Sequence, residues 1–161
     1  MLPAMVVIGF VWYLSILWLQ QLRKDLGQSL IIGIAVAGLI NVVAGVIYVT
    51  FLGTTEPIYE FMRRTGIYFG FVGMAAAQLL IAMALLRTSL GSLARTMLAV
   101  SAVVFLLGIL NLVLKSILAD PDPSENRIEW IATILMQFWF FILFVAWRRT
   151  ATDFSVRVGP A

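Results

Sequence analysis

Lys115 is the one ionisable side chain that stands well inside an otherwise apolar run, and Glu129 lies at the very start of the next, about a turn from the apex of the intervening loop. An amine and a carboxylate so placed could act as acid and base toward a lipophilic substrate, because an intramembrane charge is a functional candidate by default. Two structural readings compete and are preferred. Lys115 stands about a turn from the end of its run and can snorkel to the surface, or the two charges can simply pair.

The same stretch carries two polar rows. Ser101, Gly108 and Lys115 recur at spacings of seven with Asn111 close beside them, and Glu129, Thr133 and Gln137 recur at spacings of four. Each set falls on one face of a helix. The segment 119–127 reads as an acidic, proline-stiffened turn, so the two rows are expected to face each other, shielded from lipid. Ser101, Asn111, Lys115 and Gln137 would then be the lining of a pore, if copies of the chain assemble around one.

Asn41, Gln78, Asn111 and Gln137 place one amide in each of four apolar runs. An unpaired amide is costly in lipid. These side chains either line a polar cavity or bond across helices to fix packing, and the second reading is preferred because each is isolated in its run. Asp120, Asp122, Glu125 and Glu129 raise the question of Ca²⁺. They lack the glycine and ligand order of an EF-hand loop, so a solvated turn is the better account and no metal site is expected. Phe138, Trp139 and Phe141 belong to a dense aromatic block that could contact a lipid or another flat hydrophobe, or else fill crevices between helices.

Much chemistry is absent by composition. The chain has no Cys and no His, which excludes thiolate catalysis, Cys- or His-ligated metals and haem, and imidazole relays. No zinc-protease, nucleophile-elbow or phosphate-loop motif is present. The cofactor, if any, is unknown.

The elements that position these residues follow from composition. Of 161 residues, 62% are hydrophobic and 12% charged, about half the charge of an ordinary soluble domain. A soluble fold this small could not bury so much apolar surface, so its solvent must be mostly lipid. Of five apolar runs, 4–19, 29–52, 66–86, 96–118 and 128–147, the last four are long enough for a span, which takes roughly 17–25 residues, and the first is short but usable. The expected fold is all-α: a polytopic integral membrane bundle of five transmembrane helices, one domain over 1–161, with a cytoplasmic tail at 150–161. The first run has no preceding charge and no small-residue cleavage site, so it reads as a retained helix rather than a signal peptide.

Two runs carry small-residue stripes. Ser29, Gly33, Ala37, Asn41 and Gly45 fall four apart, and Gly66, Gly70, Gly73 and Ala77 follow at four, three and four. Such stripes let helix backbones approach closely in lipid. They mark either a seam between subunits or internal packing of the two helices on each other, with internal packing preferred.

Orientation follows from charge. With the amino end outside, Arg23, Lys24, Arg87, Arg95, Arg148, Arg149 and Arg157 lie inside, against Arg63, Arg64, Lys115 and Arg127 outside. Seven basic residues against four, with two acidic residues inside and six outside, give +5 and −2. That bias sets the amino end out and the carboxyl end in. The net charge of +3 is this cytoplasmic excess, not a nucleic-acid footprint, since no basic stripe exists. The expected protein is a multi-pass plasma-membrane protein of the bacterial inner-membrane type. Its expected role is that of a non-enzymatic accessory subunit, self-associating or bound to another membrane complex through the small-residue faces of the second and third helices, with lipid or hydrophobe contact along the fifth. A homo-oligomeric channel and an enzyme or carrier for a lipophilic substrate are the alternatives.

Overall fold

The computed structural model describes residues 2–53, 56–118 and 122–150, all helical apart from short connections. The helices are α1 (Leu2–Leu22), α2 (Gln28–Thr50), α3 (Pro57–Leu85), α4 (Gly91–Ile117) and α5 (Asp122–Thr150). All five are long and apolar enough to cross a membrane, the pattern of a multi-pass membrane protein. Residues 119–121 of the acidic turn and the tail 151–161 lie outside the described residues, as do the side chains of Asp122 and Glu125.

Helix α3 begins nine residues before the expected start at 66. Hydropathy marks only its apolar part, but local chemistry starts it earlier. Glu56 is extended at the N-cap and Pro57 occupies the first turn, where its missing N–H leaves nothing unsatisfied. Glu60 in the first turn complements the helix dipole, and its carboxylate pairs with Arg64 one turn on. With 29 residues, α3 is about 43 Å long, well beyond the roughly 30 Å hydrocarbon layer. Its first two turns therefore belong at an interface. Gly53, with φ of 84°, turns the chain between α2 and α3, a left-handed conformation that glycine adopts without strain.

The contacts divide the chain into two compact units, Met1–Ser89 and Leu90–Ala161. In the first, α2 and α3 form the tightest pair and α1 packs on both. The small-residue stripes make that pair possible. A Cβ added at Gly66 would sit 2.7 Å from the Tyr48 backbone nitrogen and 2.8 Å from the Ala44 carbonyl. One added at Gly73 would sit 2.6 Å from the Asn41 nitrogen and 2.8 Å from the Ala37 carbonyl. Backbone touches backbone at both places. Ala37 and Ala77 are buried with them, while Gly70 lies near Ala44 and Gly33 near Leu80 of α3. Gly45 meets Met5 of α1, and Gly38 meets the Trp12 ring. The stripes thus serve packing inside this unit.

The second unit is the α4–α5 hairpin. Its buried row on α5 is Ile128, Ala132, Met136, Trp139, Leu143 and Ala146, the three- and four-residue spacing of one helix face. Among the described residues of α4 the buried ones are Ala94, Met97, Val100 and Ser101, all in its first half.

Candidate functional site

Asn41 is where three helices meet. Its side chain is buried. The indole Nε1–H of Trp12 in α1 donates to its Oδ1 at 3.1 Å, and its Nδ2 donates to the Gly70 carbonyl of α3 at 2.9 Å. Gly38, Gly66 and Gly73 bring the backbones near enough for one amide to span both gaps. The amide therefore works as an interhelical tie and is not presented to a cavity. Asn41 is legible in the sequence as a polar residue within lipid, but Trp12 is not legible as its partner, because a separation of 29 positions leaves no periodic pattern.

The other amides are placed differently. Gln78 of α3 is buried and its Nε2 has no hydrogen-bond partner. On α4, the Ser101 hydroxyl and the Asn111 Oδ1 are likewise buried without a partner. The expected inward-facing rows do not form as such. Gly108 and Lys115 are exposed, and so are Glu129, Thr133 and Gln137. The reason is the apolar row on α5: Ile128, Ala132 and Met136 take the buried face, and each polar residue follows one position later, about 100° around the helix. Thr133 satisfies its hydroxyl locally, donating to the Glu129 carbonyl at 2.8 Å.

The aromatic block is divided between two faces. Phe138 and Phe141 point outward and stack on each other, with centroids 6.3 Å apart. Trp139 is fully buried and meets Phe140 edge-on at 5.5 Å. Phe138 and Phe141, with the likewise exposed Phe144, are placed to touch a hydrophobe from outside, and Trp139 is not. No group of three or more metal-ligating side chains converges among the described residues.

A second polar centre lies at the end of the first unit, at Arg23. Its Nη1 donates to the Ala84 carbonyl at 3.1 Å, filling an acceptor that the last turn of α3 leaves open. Its Nε and Nη2 donate to the two Asp25 carboxylate oxygens at 3.2 and 2.7 Å. Those hydrogen bonds hold the Asp25 carboxyl below its ordinary value, helped by the charges of Arg23 and Arg87, and raise the Arg23 guanidinium above its own. The Arg23 side chain is 14% exposed and that of Asp25 76%, so the arginine is the fixed partner. Beside it an open depression of about 420 Å³ is lined by Leu26, Leu30, Met83 and Leu86, with Arg23 and Arg87 among the lining residues. In the sequence Arg23, Asp25 and Arg87 read only as loop charges. The carbonyl bond to Ala84, 61 residues away, leaves no local signature.

No protein-family model, curated protein or solved structure matches the chain, so the five-helix arrangement rests on its own sequence and geometry.

Proposed function

We propose that this chain is a non-enzymatic, membrane-embedded accessory subunit that joins another membrane helix, its own copy or a foreign one, through the polar face of α5. The observation that carries the reading is the exposed row Glu129, Thr133 and Gln137 on a helix apolar enough to span a membrane. In lipid, exposed amides and carboxylates favour a partner helix that hydrogen-bonds to them. The small-residue faces of α2 and α3 offer no rival seam, being occupied within their own unit. The outward pair Phe138 and Phe141 flanks the row and would contact lipid or the partner. The charge bias supports an orientation with the amino end outside and the carboxyl end inside a plasma membrane of the bacterial inner-membrane type.

Native mass spectrometry of gently solubilised protein, purified from its own host, tests this reading. The expected result is a stoichiometric complex that Gln137→Leu weakens by roughly tenfold, the scale of one interhelical hydrogen bond in lipid. A monomer unaffected by that substitution would reject the proposal. A discrete homo-oligomer that conducts ions, and loses conductance but not assembly with Asn111→Leu, would replace it with the channel reading.

A further inference from the structure

The depression between the first connection and the end of α3 has an amphipathic lining. Leu26, Leu30, Met83 and Leu86 supply an apolar floor, and Arg23 and Arg87 supply cationic groups beside it. Both connections begin where an apolar helix ends, which is headgroup level for a membrane span. We infer that this depression binds the phosphate of an anionic phospholipid, with the adjoining acyl chain lying over its apolar floor.

The electrostatics favour that ligand. Arg23 and Arg87 face one nearby carboxylate, Asp25, leaving an excess of one positive charge, with Lys24 next to Arg23 in the chain. Arg87 is exposed and enters no ion pair among the described residues. Arg23 is already immobilised by Ala84 and Asp25. A guanidinium has five N–H donors, and three are used there, so two remain for a phosphate oxygen without further ordering. Guanidinium suits phosphate geometry better than an ammonium does. Asp25 opposes an anion, and its Oδ2 sits on Arg23 Nη2, so the phosphate belongs on the Arg87 side. The apolar floor separates a lipid from a free anion, which would gain nothing from Leu26, Leu30 and Met83.

The test uses the full chain in nanodiscs of equimolar phosphatidylglycerol and phosphatidylcholine, followed by gentle extraction and counting of retained lipids by native mass spectrometry. Wild type is expected to retain phosphatidylglycerol preferentially. Arg87→Gln should lower that retention roughly fivefold, the effect of one basic residue at an anionic surface, and Arg87→Lys should keep most of it. Asp25→Asn should raise it, and this arm stands even if Arg87→Gln folds poorly. Arg64→Gln, at the other end of α3, should leave it unchanged. Equal retention of the two lipids by wild type would overturn the inference. So would an equal loss in Arg64→Gln, which would indicate diffuse charge. Displacement of the lipid by excess inorganic phosphate would assign the site to a free anion instead.

Discussion

A single amide at position 41 does what a hydrophobic side chain could not. Trp12 Nε1 and the Gly70 carbonyl both lie at helix surfaces that the Asn41 side chain closes. Replacement by Leu would remove both bonds and leave the buried indole N–H facing an alkyl group. Interhelical hydrogen bonds in lipid contribute about 0.6–1.7 kcal/mol each, and an orphaned buried donor costs more than the bond itself was worth. Asn41→Leu is therefore expected to destabilise the first unit by about 1–3 kcal/mol. Unfolding in mixed detergent micelles, followed by tryptophan fluorescence, measures this directly; an unchanged midpoint would mean that the tie carries no stability. Gln78 gives the contrasting case. Its Nε2 is buried without a partner, so it contributes no comparable tie.

At the scale of helices, glycines of the same type have opposite roles. Gly73 lets α3 lie directly on the Asn41 backbone, whereas a Cβ at Gly108 of α4 would meet nothing within 4 Å. Gly73→Ala must push two backbones apart and is expected to cost about 1–3 kcal/mol, as overpacked cores do. Gly108→Ala should be neutral or stabilising by up to about 1 kcal/mol, the helix-propensity difference. Measuring both in one micelle titration checks the pair, and equal effects would contradict the packing described here. The existence of these helices was legible in the sequence, because a lipid solvent demands long apolar runs and the chain has five. Their facing was less so. A helix apolar on nearly all sides shows little segregation of faces, and on α5 the row 129, 133, 137 competed with the row 128, 132, 136 for the interior. The polar row looked the better candidate for burial, but Ile128, Ala132 and Met136 took that face. The start of α3 was written in Pro57 and Glu60, signals that hydropathy alone passes over. Asn41 could be recognised as a polar residue needing a partner, while the Arg23 centre depends on contacts far apart in sequence and had no local pattern to betray it.

The whole molecule is two units of different character. Met1–Ser89 holds three helices tied by backbone contact and by Asn41, and Leu90–Ala161 holds a hairpin whose α5 presents polar and aromatic residues outward. The first unit contains the hydrogen-bond partners of Asn41 and Arg23 within its own sequence. A fragment of residues 1–89 is therefore expected to insert by itself and to resist proteolysis as it does in the full chain. Limited proteolysis of membranes expressing that fragment checks this, and rapid cleavage within α2 or α3 would show that the unit needs the rest of the protein.

The position of Asn41 midway between its partners also sets a timetable for synthesis. Trp12 precedes it by 29 residues and Gly70 follows by 29. At about 5–20 residues per second, the ribosome delivers the second partner roughly 1.5 to 6 seconds after the amide. During that interval a nascent helical pair carries a half-satisfied amide next to the insertion machinery. Translation speed over codons 42 to 70 is thus the interval in which the first unit is most exposed to wrong helix partners.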